Sequence, residues 1–250
     1  LAFDYENGAW RSHPIALPEN STISIATASS ETGEAMFTVS DFLTPATLWH
    51  YDGATGRAEA IKAAPARFDA SRLVVDQHEA RSRDGTLIPY FVVRPRNMRR
   101  NGSTPTILYG YGGFQSLSEV PSYSSVLGRL WLEQGNAYVV ANLRGGGEFG
   151  SAWHEAAIGA NKQRTWDDFI AVAEDLIRRR ITSPRRLGVE GGSQGGLLVG
   201  TAITQRPDLF NAAIIQVPLF DMMRYHLIGA GASWIGEYGD PRGLPCRRHA

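Results

Sequence analysis

The segment that most constrains the fold of this chain is Gly191-Gly192-Ser193-Gln194-Gly195, which contains the pattern Gly-x-Ser-x-Gly. It lies between an apolar strand predicted at 187–189 and an apolar helix predicted at 197–204. A strand that turns this abruptly into a helix crowds the positions two residues before and after the serine, so both are glycine. The bend lifts the Ser193 hydroxyl above the sheet edge at a helix N-terminus, which predicts a nucleophile. The alternative is a glycine-rich turn with a structural serine.

Two groups are candidates to bind an oxyanion that forms beside Ser193. The backbone N–H of Gln194 follows the serine directly and is free to donate to such an oxygen. A second glycine-rich loop, 109–114, follows a strand predicted at 106–109. Hydrolases whose serine lies on a strand-to-helix bend supply a second oxyanion donor from a glycine-rich turn after an early strand. The phenol of Tyr111 is one candidate for that donor, and the alternative is a loop with two packed tyrosines.

Strands and helices alternate along most of the chain. Strands are predicted at 73–75, 88–93, 106–109, 137–141, 187–189 and 212–217, and helices at 126–134, 167–180 and 197–204. This rhythm predicts an α/β fold, a mostly parallel sheet with helices on both faces. Within it, Asp84-Gly85 predicts a hairpin turn, and Asp167-Asp168 is predicted at a helix start, where carboxylates favour the dipole.

Residues 1–66 have a different pattern, with short alternating strands separated by polar turns. That pattern suits a piece of a sandwich, barrel or propeller. The sequence therefore predicts two domains, 1–66 and 67–250. A third glycine-rich run, 144–150, lacks the spacing of both nucleotide-binding motifs and is interpreted as a tight loop after a strand.

Composition excludes several classes of function. Lys+Arg and Asp+Glu are both 25, so no basic excess points to nucleic acid. The single cysteine, Cys246, cannot form an internal disulfide or a multi-cysteine metal site, and no apolar run approaches the roughly 18 residues of a membrane span. We expect no metal, no cofactor and no membrane. Because the chain starts at Leu1 rather than Met, we expect it to begin inside a longer one, and residues 242–250 are interpreted as a frayed or aberrant terminus.

Six sequence blocks in order carry a resemblance to a known family. They are LYGYGGF (108–114), ANLRGGGEFG (141–150), ANKQRTWDDF (160–169), GGSQGGLLVG (191–200), QRPDLF (205–210) and SWIGEYGDP (233–241). The chain resembles a prolyl oligopeptidase, a serine peptidase whose α/β-hydrolase domain is capped by a β-propeller. The resemblance implies that 1–66 is the end of the propeller and 67–250 the first part of the catalytic domain.

The resemblance also implies roles for individual residues. Ser193 is the nucleophile, and the Tyr111 hydroxyl and the Gln194 backbone N–H bind the oxyanion. Trp234 is the flat wall on which a substrate proline ring stacks, and the same pocket is lined by Phe114 and Leu219. Position 194 is usually asparagine in the family, so the glutamine is a departure that leaves the backbone N–H unchanged.

The triad aspartate and histidine are expected beyond Ala250, so the 250-residue chain is predicted to be nearly inactive by itself. His226 and His249 lie downstream of Ser193, but the resemblance places neither of them at the position of the catalytic histidine. We interpret His226 as a packing or loop residue, and His154 and Asp221 in the same way.

The expected substrates are short, proline-containing peptides, and the expected protein is monomeric and cytoplasmic. Glu237, near Trp234, raises the alternative of a charged pocket for a basic side chain, as in the related Arg/Lys-cleaving oligopeptidases. We interpret it as an exposed loop carboxylate. An esterase of the same fold and a catalytically inactive binding protein are further alternatives.

Overall fold

The computed structural model describes residues 1–117 and 119–243. These form two compact units: a first unit of Leu1–Leu73 and Pro121–Gln134, and a second unit of Val74–Val120 and the chain from Gly135 onward. The predicted domain boundary at 66 and 67 stays a prediction. Most of the basic C-terminal segment interpreted above lies outside the described residues.

The first unit contains six antiparallel strands. Strands β1 (Ala2–Glu6) and β2 (Ala9–His13) form a hairpin, and β3 (Thr22–Ala28), β4 (Glu34–Ser40), β5 (Thr47–Asp52) and β6 (Arg57–Ala63) form a sheet in that order. Phe37, Val39 and Tyr51 form its buried cluster. Phe37 and Val39 are two positions apart in β4, so their side chains point to the same face of the sheet. The prediction of short strands over 1–66 is confirmed.

The helix predicted at 126–134 is instead two short elements. Helix α1 (Ser125–Leu130) is capped by the Ser124 side chain, which accepts from Leu127 N, and a 3-10 turn covers Leu132–Gln134. A Cβ on Gly128 would lie 2.1 Å from Cδ1 of Phe68, so this position has to be glycine. Glycine lowers helix propensity in the middle of the segment, which is consistent with the break at Trp131.

A six-stranded sheet forms the centre of the second unit. Its strands are β7 (Leu73–Arg81), β8 (Leu87–Pro95), β9 (Thr106–Tyr109), β10 (Ala137–Ala141), β11 (Leu187–Gly192) and β12 (Ala212–Gln216), in the order β12-β11-β9-β10-β8-β7. Strands β12, β11, β9 and β10 are parallel, and β8 is antiparallel to β10. The predicted mostly parallel sheet is confirmed, and so is the hairpin at Asp84-Gly85, where Gly85 has φ +91°.

Among the described residues of this unit, four α-helices accompany the sheet: α2 (Ser151–Glu155), α3 (Gln163–Arg178), α4 (Gln194–Gln205) and α5 (Ile235–Tyr238). Buried side chains of α3 and α4, Phe169, Leu176 and Leu198 among them, pack in one cluster with Leu108 and Val139 of the strands. Within the described parts of the chain, no helix has the length and apolar character needed to cross a bilayer.

The predicted position of Asp167-Asp168 at a helix start is wrong. Helix α3 begins at Gln163, so both residues lie inside it. Asp168 is fully buried and accepts hydrogen bonds from Ser82 Oγ (2.5 Å) and Arg144 Nη2 (2.6 Å). A guanidinium from the loop after β10, rather than the helix dipole, compensates this carboxylate.

Candidate active site

Ser193 occupies the bend between β11 and α4, with φ +55° and ψ −117°. Non-glycine residues rarely adopt this backbone region, and such strain clusters at functional sites. A Cβ on Gly191 would lie 2.2 Å from the carbonyl oxygen of Gly195, and one on Gly195 would lie 2.6 Å from that of Gly110. The flanking glycines are therefore required by backbone contacts, as the sequence predicts. The serine itself is half-buried rather than enclosed in the core.

The Ser193 hydroxyl lies close enough to the Tyr111 phenol to influence the pKa of that phenol. Strand β9, which precedes the tyrosine, is the parallel neighbour of β11, so the loops after both strands meet at one edge of the sheet. Burial raises the pKa of Tyr111, and the carboxylates of Glu119 and Glu237 raise it further, while the Ser193 hydroxyl opposes them. The phenol therefore stays protonated at neutral pH and able to donate.

The Gln194 backbone N–H lies beside Ser193, at the first residue of α4. The first four N–H groups of a helix have no acceptor within it, and they point toward the N-terminal end. The N–H groups at this helix end suit a developing negative charge next to the serine.

The Gln194 side chain faces inward and is fully buried. Its Nε2 donates to the Gly112 carbonyl at 3.4 Å, and its Oε1 accepts from the Tyr238 hydroxyl at 2.5 Å. A Cβ on Gly113 would lie 2.7 Å from Cγ of this glutamine. The side chain that replaces the usual asparagine thus joins two protein segments.

Aromatic side chains form a cluster around Phe114, the last residue of the glycine-rich loop 109–114. Phe114 packs edge-on against Trp234 (6.4 Å between centroids) and against Tyr238 (5.7 Å), and Tyr225 stacks with Trp234 at 6.5 Å. The structure therefore brings Phe114 and Trp234 together. Leu219 is partly buried against the same hydrophobic core, and its place in a substrate pocket stays a prediction.

Sequence reasoning missed Tyr225 and Tyr238 in this cluster. One signal was present for Tyr238, which lies four residues after Trp234 and therefore about one helical turn away. Tyr225 lies in the 3-10 helix Tyr225–Leu227, and nothing in its local sequence marks it.

The interpretation of Glu237 as an exposed loop carboxylate is wrong. It lies in α5 and is only 5% exposed. Its Oε1 accepts from Lys162 Nζ at 2.6 Å, and its Oε2 lies 2.8 Å from Nε2 of His154. Burial requires such partners, because an isolated carboxylate in a protein interior is strongly destabilising.

Lys162 is a second residue that sequence reasoning missed. It lies just before α3, is buried, and donates from Nζ to the Gly112 carbonyl at 2.9 Å as well as to Glu237. Burial lowers the pKa of Lys162, and the Glu237 carboxylate opposes that shift. The available sequence signal was that Lys162 lies within ANKQRTWDDF, one of the six blocks that carry the family resemblance.

Asp221 and His226, which the sequence analysis interprets as packing or loop residues, lie in a loop and in a short turn of helix. Asp221 accepts from Nε of Arg224 at 2.8 Å, and His226 lies in a 3-10 helix. His249 lies outside the described residues. His154, by contrast, is part of the buried cluster around Glu237.

Comparison with known proteins identifies similar chains. A model of the prolyl oligopeptidase family matches residues 122–245. An uncharacterized peptidase of Sinorhizobium fredii is 52% identical over 240 residues, which cover 96% of this chain and 33% of that protein. A prolyl endopeptidase of Elizabethkingia meningoseptica is 39% identical over 203 residues, covering 81% of this chain and 28% of the relative.

The structure of a post-proline cleaving enzyme from Rickettsia typhi superposes with a TM-score of 0.83 at 42% identity. The match covers 96% of this chain and 35% of that structure. The chain therefore spans only a minor part of the length of the relatives that it matches.

Proposed function

This chain belongs to the prolyl oligopeptidase family, and from that premise we propose that its protein is a serine peptidase that cleaves peptides after proline. The observation that carries the proposal is the placement of Ser193 on a strained strand–helix bend, with Tyr111 packed beside the Gly195 backbone of the same bend. A hydroxyl held this way, next to donors suited to an oxyanion, is the arrangement that acyl transfer needs.

In the proposed reaction a general base takes the proton of Ser193 Oγ as that oxygen attacks the carbonyl carbon of the scissile peptide bond, and the protonated base then serves as the general acid. The carbonyl oxygen becomes an oxyanion, to which the Tyr111 phenol and the Gln194 backbone N–H donate. The C–N bond then breaks, the amine leaves with a proton from the general acid, and an acyl-enzyme remains for water to hydrolyse. We propose that an aspartate and a histidine of the full-length protein supply this base.

The aromatic cluster supports proline as the residue whose carbonyl is attacked. Proline presents a small apolar ring and no backbone N–H, so an aromatic face recognises it through contact area, at about 25 cal/mol per Å² buried. Trp234 and Phe114 offer such surfaces within one cluster. Glu237 is paired with Lys162, so its charge is already compensated and it is a poor counter-ion for a basic substrate side chain.

The test uses the full-length protein that contains these residues. A fluorophosphonate probe is expected to label the wild type and not Ser193→Ala. Fluorogenic amides that differ only in proline, arginine or lysine before the cleaved bond, and a simple ester, then distinguish the alternatives. Preferential cleavage of the proline amide supports the proposal. Preference for arginine or lysine, hydrolysis of the ester alone, or no labelling at Ser193 contradicts it.

We also propose that the substrates are short peptides, that the protein is monomeric and that it is cytoplasmic. The single cysteine suits a reducing compartment, since disulfides are rare there. Size-exclusion chromatography, cell fractionation and a length series of proline peptides test these three points separately.

A further inference from the structure

We propose that Lys162 and Glu237 are positioning residues that tie the proposed oxyanion loop to the helix beside the aromatic wall. The oxyanion loop is defined as residues 110–114, and the helix is α5, which directly follows Trp234. This inference rests on the proposed function, because it assigns the pair a task in that reaction. Neither residue is proposed to touch the substrate.

One end of the tie is the carbonyl of Gly112. It belongs to the residue directly after Tyr111, and it accepts a hydrogen bond from Lys162 Nζ at 2.9 Å. Gly112 has φ +62°, and a Cβ there would lie 2.5 Å from Cγ2 of Thr165, so the loop lies tightly against the start of α3. Lys162 immediately precedes that helix and is buried.

The other end of the tie is the carboxylate of Glu237. It accepts from the same ammonium at 2.6 Å and pairs through its second oxygen with His154. Glu237 lies three residues after Trp234 and directly before Tyr238. One buried ammonium group therefore bridges the loop that carries the proposed oxyanion donor and the helix next to the proposed proline wall.

A second link runs in parallel and ends on the same carbonyl. Gln194 Nε2 donates to Gly112 O at 3.4 Å, while Gln194 Oε1 accepts from Tyr238. A carbonyl oxygen has two lone pairs and can accept both donors. The Lys162 bond is the shorter of the two and is charge-assisted, so it is the stronger restraint on the loop.

The loop needs such a restraint because it forms no regular secondary structure. Residues 110–113 lack both helix and strand hydrogen bonding, and Phe114 follows with φ +57°. Catalysis depends on geometry to within about 1 Å, and a shift of that size can lower a rate by about 10²-fold. When the Lys162–Glu237 tie is lost, the Tyr111 phenol and Trp234 can move independently of each other. We therefore expect both kcat and the preference for proline to fall.

The competing explanation is that the pair only stabilises the fold. A buried charge left without its partner destabilises a protein wherever it lies. The double variant Lys162→Met/Glu237→Gln separates the two explanations, because it removes the tie without leaving an uncompensated charge. If the pair is purely structural, the double variant recovers the wild-type kcat and proline selectivity. If the pair positions the loop, both stay lowered in the double variant.

The experiment compares the full-length wild type, Lys162→Met, the double variant and the control Asp175→Asn. Asp175 is another buried carboxylate of the same unit, paired with Tyr90 and Arg179. Active sites are counted by fluorophosphonate titration, and kcat and KM are then measured on matched proline and alanine amides. Normalising to titrated sites removes any effect of a smaller folded fraction.

We expect the double variant to lose roughly tenfold or more in kcat per titrated site, together with a lower proline-to-alanine ratio of kcat/KM. The control is expected to lose thermal stability and to keep both quantities. Recovery of wild-type kcat and selectivity in the double variant overturns the positioning role, even if Lys162→Met fails to fold. A wild type that neither labels nor hydrolyses overturns the proposed function, and the positioning role falls with it.

Discussion

Replacing Tyr111 with phenylalanine removes one hydroxyl and leaves the ring in place. The ring lies beside Gly195, where an added Cβ would be 3.6 Å from Cδ2 of Tyr111, and this packing does not involve the hydroxyl. Removing one oxyanion donor from a water-excluded site costs about 2.7–4 kcal/mol of transition-state stabilisation. The expected loss in kcat is therefore about 10²- to 10³-fold.

The assay is single-turnover and steady-state hydrolysis of a proline amide by the full-length protein, normalised to titrated active sites. The loss is expected in kcat, with KM nearly unchanged, because the donated hydrogen bond strengthens only in the transition state. Tyr109→Phe is the matched control, since it removes a phenol from β9 two residues away. A loss confined to KM, or a change in kcat below about threefold, would refute the oxyanion role.

The pH profile tests the same residue independently. A phenol donates only while it is protonated, so this contribution is present below its folded pKa and is lost as pH rises through it. Burial raises the pKa of Tyr111 above the ordinary value of about 10. We therefore expect no fall in kcat from this group between pH 7 and pH 10. A fall in that window that disappears in Tyr111→Phe would contradict the account.

Three further outcomes are expected. Trp234→Ala should lower the proline-to-alanine ratio of kcat/KM roughly tenfold, from about 50 Å² of lost apolar contact at about 25 cal/mol per Å², with a smaller effect on thermal unfolding; an unchanged ratio argues against the wall. Gln194→Asn should lower the free energy of unfolding in urea by about 1–3 kcal/mol, because the shorter side chain cannot bond both the Tyr238 hydroxyl and the Gly112 carbonyl; an unchanged midpoint argues against the link. Asp168→Asn should cost about 3 kcal/mol in the same measurement, because it removes a buried countercharge of Arg144; a neutral effect would show that the other partners suffice.

Local sequence was sufficient for the bend and for most of the strands. Gly191 is dictated by the Gly195 carbonyl four residues away, and the strand and helix that flank the bend have their own apolar patterns, whereas Gly195 is constrained by the distant Gly110 carbonyl. Strand β10 has the bounds that its apolar run predicts, because both neighbours bury it and no polar face interrupts the run. The chain order of the six strands β7 to β12 followed from the same patterns.

Burial and pairing of charged groups were decided only in the tertiary structure. Lys162 and Glu237 are 75 positions apart, and nothing within a few residues of either one indicates a partner. Asp168 resembles a helix-start carboxylate in sequence, yet a guanidinium 24 positions away determines its environment. Short-range patterns specify backbone conformation through sterics and periodicity, whereas the compensation of a buried charge depends on which distant segments the fold brings within hydrogen-bond distance.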